Sequence, residues 1–228
     1  MELTKEKLAK MIDHTYLKAY ATKKDFEKLC SEAKEYGFGM VAINSYPVKL
    51  CKELLKGTNV HVGAAISFPL GQTTIENKCF ETLKAIEEGA DEIDYVLNIG
   101  KVKEHDYDYI EREMSELVKI ARNNNVIIKV IFENCYLEKD EIEECAKIAK
   151  KVKPDYIKTS TGFGTSGAKV EDVKLMKQIV GDDVKVKAAG GIKDYATAKQ
   201  MIEAGASRIG TSSSIKIIEE FLKENGRQ

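Results

Sequence analysis

No two cysteines in this chain are spaced as a CxxC pair. Cys30, Cys51, Cys79, Cys135 and Cys145 are odd in number and widely scattered, which argues against a disulfide framework and a zinc site. Cys30 and Cys145 fall in helical patterns, where a buried thiol is the usual role. The three histidines, His14, His61 and His105, lack the spacing of a metal set. Neither sign of charge is in excess: 36 basic side chains meet 37 acidic ones, for a formal net charge of -1. That balance disfavours nucleic acid and anionic membranes as partners. Arginine is scarce, at Arg112, Arg122, Arg208 and Arg227. Abundant Lys and Glu fits a heat-adapted protein, and a biased genome composition equally well. No apolar run approaches the length of a membrane span, and the first seven residues lack the apolar core of a signal peptide. The expectation is a soluble, cytoplasmic protein. No linker, low-complexity segment or domain boundary interrupts residues 1–228, which read as one domain.

What is present is a rhythm of apolar runs and helical patterns. Thr4 to Met11 reads as a short capped helix. Strands are expected at Ile12 to Leu17, Met40 to Asn44, His61 to Phe68, Glu92 to Asn98, Val126 to Glu133, Tyr156 to Thr161, Val184 to Ala189 and Ser207 to Gly210. A helical period follows each one: Thr22 onward with Phe26, Leu29, Cys30, Ala33 and Tyr36, then Val48 to Lys56, Thr74 to Glu88, Tyr107 to Asn123, Lys139 to Val152, Val170 to Val180, Tyr195 to Ala204, and Ser214 to Lys223. Alternation of this kind implies a parallel sheet. Eight units suggest an α/β fold of a single closed (β/α)8 TIM barrel with a short N-terminal helix; an open doubly wound sheet is the alternative. Two helix-to-strand joints, Gly89-Ala90 and Gly205-Ala206, share a Gly-Ala turn.

Strand parity then sorts the charges. In a barrel, alternate residues point inward and the active site lies at the C-terminal ends of the strands. Lys158 shares a face with Tyr156 and Ser160, Lys187 with Lys185 and Ala189, Asp94 with Val96 and Asn98, Lys129 with Glu133, and Asp13 with Thr15. The apolar neighbours go to the helix side and the charges go inside. Buried charges are costly unless paired or shifted in pKa. They either fill the barrel as ion pairs or form a site. A lysine amine attacks a carbonyl only when unprotonated, and its free pKa of about 10.4 leaves little of that form. Burial and a second ammonium nearby lower it. Lys158 and Lys187, on adjacent strands six and seven, suit Schiff-base chemistry, with Asp94 moving protons.

Glycines supply a second clue. Gly190-Gly191 after strand seven and Gly210-Thr211-Ser212-Ser213 after strand eight lie where barrels often bind phosphate, and Gly162 and Gly164 can add to that cradle. His14 reads as a satisfied core histidine, His61 as the start of a strand, and His105 as a loop residue. Lys147, Lys150, Lys151 and Lys153 read as a solvated helix face.

Six stretches in order carry a family resemblance: Ile12-Asp13-His14-Thr15, Phe68-Pro69-Leu70-Gly71, Gly89-Ala90-Asp91-Glu92-Ile93-Asp94, Lys129-Val130-Ile131-Phe132-Glu133, Ile157-Lys158-Thr159-Ser160-Thr161-Gly162-Phe163 and Lys187-Ala188-Ala189-Gly190-Gly191-Ile192. Over nearly its whole length the chain resembles the deoxyribose-phosphate aldolases. The resemblance implies a class I aldolase, with no metal and no cofactor, that reversibly splits 2-deoxy-D-ribose 5-phosphate into D-glyceraldehyde 3-phosphate and acetaldehyde. It implies Lys158 as the Schiff-base lysine, Lys187 as the neighbour tuning its acidity, and Asp94 in the proton relay. Asp13 and Thr15 are expected at the sugar hydroxyls, with Lys129 and Glu133 grouped among the substrate contacts. Gly162, Gly190, Gly191, Gly210, Ser212 and Ser213 are expected at the phosphate. A small phosphosugar is the implied partner, and a homodimer or homotetramer the implied assembly.

Three departures stand out. Val41-Ala42-Ile43-Asn44 lacks the cysteine found there in many relatives. Lys169 closes the loop that commonly ends in threonine. The tail from Lys223 to Gln228 has no tyrosine. Another phosphosugar aldolase of the Schiff-base type, or a phosphosugar-binding barrel without catalysis, are the other readings.

Overall fold

The computed structural model describes residues 3–225. Eight parallel strands close in sequence order, and the first pairs with the last. They are β1 (Ile12–Thr15), β2 (Met40–Asn44), β3 (His61–Ile66), β4 (Glu92–Val96), β5 (Ile127–Ile131), β6 (Tyr156–Lys158), β7 (Lys185–Ala189) and β8 (Ala206–Thr211). The β1–β8 ladder excludes the open doubly wound sheet, which would leave two free edges. Helix α1 (Lys5–Met11) precedes the barrel. Around it run α2 (Lys23–Tyr36), α3 (Val48–Leu54), α4 (Ile75–Glu87), α5 (Ile99–Lys103), α6 (Tyr107–Asn123), α7 (Lys139–Val152), α8 (Val170–Val180), α9 (Tyr195–Glu203) and α10 (Ser214–Asn225).

The helices form where caps and apolar periodicity coincide. Thr22 and Asp25 make a capping box at the start of α2, and Gly37 ends that helix at φ 70°. Helix α7 opens on a similar box between Glu138 and Glu141, then buries Ile142, Cys145, Ala146 and Ala149 on one stripe. These faces pack on outward strand residues such as Val41, Ile93, Val130, Ile157, Val186 and Ile209, in one continuous cluster. Each such aliphatic side chain contributes about 1.5–3 kcal/mol on full burial. Met40, Val96, Ile131 and Tyr156 are buried outside that cluster, on the inner face with the charges. The Gly-Ala joints have a steric cause. Gly89 and Gly205 sit at φ 105° and 111°, and a Cβ there would come within 2.8 Å of Lys52 Cγ and 2.6 Å of Lys177 Cγ.

Several strands stop earlier than the apolar runs suggest. β4 ends at Val96, because Asn98 accepts a hydrogen bond from Lys101 N and starts the unanticipated helix α5. β5 ends at Ile131. Glu133 then takes a left-handed conformation, φ 56°, ahead of a 3-10 turn at Asn134–Tyr136. The parity that puts Lys129 inside therefore does not extend to Glu133. Among the described residues no helix is long and apolar enough to cross a membrane.

Among the described residues, one ion pair with both side chains fully buried lies in the helix layer instead of the barrel. Lys78 on α4 and Glu113 on α6 are 2.5 Å apart with both side chains fully buried. Lys78 also donates to Val96 O at 2.8 Å, and Glu113 accepts from Asn98 N at 3.2 Å. The pair thus ties two helices to the end of β4. Burial lowers the lysine pKa and raises the glutamate pKa, so both resist ionisation outside this contact. Lys78→Met leaves a stranded carboxylate and is expected to cost about 3–5 kcal/mol in urea unfolding, whereas Lys78→Met with Glu113→Leu recovers most of that. A double variant as unstable as the single one would show that the pair's net worth has been underestimated.

Candidate active site

Register sets the heights of the charged residues. Asp94 on β4 is level with Lys129 on β5, and Lys158 on β6 is level with Lys187 on β7. Asp94 is the hub. Lys129 donates to its Oδ1 at 2.8 Å, while Lys158 and Lys187 both donate to its Oδ2, at 2.7 and 2.6 Å. The nitrogens of Lys158 and Lys187 are therefore no more than about twice that distance apart. Below this level Lys187 pairs with Asp13, and Lys129 with Glu92. Arg208 Nε donates to Asp13 Oδ1 at 2.7 Å, and its Nη2 lies 3.3 Å from Glu92 Oε1. His61 Nδ1 is 2.7 Å from the same Glu92 oxygen.

These contacts divide the lysines. Burial pushes the Lys158 ammonium down, Asp94 pulls it back up, and Lys187 and Lys129 push it down again, leaving a pKa of about 8. At that value about one amine in ten is neutral at pH 7, against well under one in a thousand for a free lysine. Lys129 is also buried, but Asp94 and Glu92 outweigh burial and hold it above the ordinary lysine value. For Asp94, burial favours the neutral acid, yet Lys129, Lys158 and Lys187 together hold its carboxyl well below the usual range. Burial is thus the larger cause at Lys158 and the second ammonium the smaller, because at this depth the barrel excludes water.

A cavity of about 950 Å³ opens over Lys158 at the C-terminal mouth of the barrel. Its wall includes Thr15, Lys158, Gly162, Gly190, Gly191, Gly210, Ser212 and Ser213, eight residues that the sequence points to. Gly162, Gly190 and Gly191 adopt φ of 87°, 84° and 76°, a region closed to most side chains. A Cβ on Gly190 would also meet Gly167 Cα at 3.0 Å. Ser212 and Ser213 directly precede α10, whose N-terminus favours an anion. Lys193 and Phe163 join the wall without being anticipated. Lys193 follows Gly-Gly-Ile, so a cation two residues past a glycine pair was the available signal.

Three expected substrate contacts lie elsewhere. Asp13 is fully buried, and its two oxygens are taken by Arg208 and Lys187. Lys129 is fully buried between Asp94 and Glu92. Glu133, on its left-handed backbone, accepts from Thr161 N at 3.1 Å and from Thr161 Oγ1. It holds the loop after β6 and does not reach the cavity wall. Glu92 and Arg208 were not foreseen in the network: Glu92 is the next inward residue of β4 before Asp94, and Arg208 is the single arginine in a strand among the described residues. His14 is satisfied as expected, 2.8 Å from Ser214 Oγ and 3.0 Å from Glu32 Oε2, which links β1 to α2 and α10. Thr15 Oγ1 donates to Asp13 O at 2.9 Å. Val41, Ala42 and Ile43 pack in β2, and Lys169 stands just before α8 without a side-chain hydrogen bond to the helix end. Gly226, Arg227 and Gln228 lie outside the described residues.

Comparison with known proteins gives the same picture. Residues 7–219 match the model of the DeoC/LacD family aldolase. The deoxyribose-phosphate aldolase of Lactobacillus acidophilus is 62% identical over 217 residues, 95% of this chain and 92% of that protein. The one from Thermococcus gammatolerans is 55% identical over 93% of this chain and 95% of that protein. Among solved structures, the tetrameric deoxyribose phosphate aldolase from Aeropyrum pernix superposes with a TM-score of 0.89 at 32% identity, covering 96% of this chain and 92% of that one. With its barrel closed, its lysines on one carboxylate and residues 7–219 matched by the family, the chain belongs to the DeoC/LacD family of aldolases.

Proposed function

We propose that this protein is a class I aldolase that reversibly cleaves 2-deoxy-D-ribose 5-phosphate to D-glyceraldehyde 3-phosphate and acetaldehyde. The observation that carries the reading is Lys158: buried, depressed to a pKa of about 8, and on the wall of a glycine-rimmed cavity. The relatives' activity supplies the substrate.

The open-chain sugar enters with its phosphate toward Gly162, Gly190, Gly191, Gly210, Ser212 and Ser213, with Thr15 and Lys193 on the same wall. Neutral Lys158 attacks the C1 aldehyde. A carbinolamine forms, and loss of water leaves an iminium. The C3 hydroxyl then gives up its proton, the C2–C3 bond breaks, and the electron pair moves through C2 onto the iminium nitrogen as an enamine. Glyceraldehyde 3-phosphate departs. Protonation at C2 and hydrolysis release acetaldehyde and return Lys158. Asp94 and Lys187 relay these protons, directly or through one water. Asp13, Lys129, Glu92 and Glu133 act from outside the cavity, by holding the relay and the β6 loop in place. By the same likeness, the protein self-associates as a homodimer or homotetramer and works in the cytoplasm.

Borohydride trapping with substrate is expected to leave one adduct, on Lys158, by peptide mass. Lys158→Leu should abolish the adduct and the release of acetaldehyde while circular dichroism stays unchanged; retained turnover would falsify the assignment. For Lys187→Leu the sign is set by charge. Loss of a like charge raises the Lys158 pKa above about 8, so the rising limb of kcat/KM against pH moves to higher pH. A limb that stays in place counts against the two-lysine account. Ser213→Asp puts a negative charge at the α10 N-terminus and should raise KM for the phosphorylated sugar at least about tenfold, with little change for unphosphorylated 2-deoxyribose. Equal effects on both sugars would move the phosphate elsewhere.

A further inference from the structure

Arg208 takes no part in the steps above, yet among the described residues it is the one arginine inside the barrel. It stands on the inner face of β8, level with Lys187 on β7, with its side chain only 11% exposed. Its guanidinium grips Asp13 Oδ1 through Nε and Nη2 and reaches Glu92. We propose that Arg208 is a positioning residue for the Schiff-base step: it clamps Asp13 and Glu92 beneath the cavity and supplies the interior charge that leaves the neutral amine of Lys158 favoured. The proposal rests on the Schiff-base reading of Lys158.

The support is a count of charges along the interior, strand by strand. β1 contributes Asp13, β4 Glu92 and Asp94, β5 Lys129, β6 Lys158, β7 Lys187 and β8 Arg208. β2 contributes Met40, which is uncharged. Tyr156 on β6 lies with its ring 5.9 Å from the Arg208 guanidinium, and Lys185 on β7 approaches the same ring from the exposed end of its strand. His61 on β3 touches Glu92 from a half-exposed position. Four interior cations therefore face three carboxylates when Lys158 is protonated, and three face three when it is neutral. A buried cluster with net charge is disfavoured, and the proton most readily released belongs to the cation with the fewest partners. Lys129 and Lys187 each touch two carboxylates and Lys158 touches one. Without Arg208 the balance would instead be met with Lys158 charged.

The test uses the full chain in four forms: wild type, Arg208→Gln, Arg208→Lys and Glu92→Gln. Two readouts run against pH: kcat/KM for cleavage, and the rate of Lys158 labelling by acetaldehyde with cyanoborohydride. Arg208→Gln should move the rising limb of both to higher pH by about half a unit or more. Glu92→Gln, which removes a negative charge, should move it to lower pH. Arg208→Lys should restore the wild-type limb while kcat stays reduced, because an ammonium cannot reproduce the two-pronged grip on Asp13. An unmoved limb in Arg208→Gln, or a move to lower pH, overturns the proposal. If circular dichroism shows that Arg208→Gln does not fold, Glu92→Gln decides it, and a limb that stays or rises overturns it. Absence of any adduct on wild-type Lys158 is a different result: it removes the Schiff-base reading itself, and the proposal with it.

Discussion

One carboxylate oxygen, Asp94 Oδ2, receives two lysine ammonium groups in a space closed to bulk water. The attraction holds both lysines at one height, and their mutual repulsion adds to burial, the larger cause, in favouring the neutral amine of Lys158. Burial alone would neutralise Lys158 but would neutralise Asp94 as well, since a low-polarity medium disfavours every charge. Three lysines around Asp94 reverse its tendency and keep it anionic. An anionic Asp94 then orients Lys187 without fully restoring the charge on Lys158. The pKa of about 8 at Lys158 is the balance of these opposed contributions.

The fold makes that balance possible by separating two kinds of packing. The apolar core lies between strands and helices, where Val41, Ile93, Val130, Ile157 and Val186 meet the helix stripes. The barrel interior is then free to carry charge without weakening that core. A doubly wound sheet has both faces covered by helices and offers no such inner compartment. The two functional tasks also fall on different parts of the chain. The lysines and Asp94 sit on strands, whose ladders fix them closely. The anion cradle sits on loops, where Gly162, Gly190 and Gly191 adopt positive φ that strands cannot hold.

Much of this is legible in the sequence, for a physical reason. Parity in a strand and helical periodicity between strands are local properties. They place Lys158, Lys187, Asp94 and Lys129 inside and Val186 and Ile157 outside without reference to the rest of the chain. Legibility fails where parity ends. Glu133 lies two residues past the last ladder residue of β5, and its left-handed backbone turns the side chain to Thr161. The α5 helix is set by one side-chain cap on Asn98, which a run of strand residues conceals. Asp13 shows a different failure. Its facing was legible but its partners were not, because Arg208 lies 195 residues away and pairing across the closure of a barrel leaves no local trace.

Three lysines share the interior, and the geometry separates them by how many carboxylates each one meets. Lys129 is wedged between Asp94 and Glu92 and is held above the ordinary lysine value. Lys187 is held by Asp13 and Asp94 with no exposed surface. Neither can approach a sugar without breaking an ion pair in a medium where an unpaired charge is strongly disfavoured. Lys158 has one share of one oxygen, and it alone of the three lies on the cavity wall. Losing its proton breaks the least, and forming a bond to carbon requires the smallest displacement. The same carboxylate that the amine leaves stays bonded to Lys187, so Asp94 keeps a charged partner while Lys158 is neutral. Nucleophile and relay are thus assigned by pairing, before any substrate arrives.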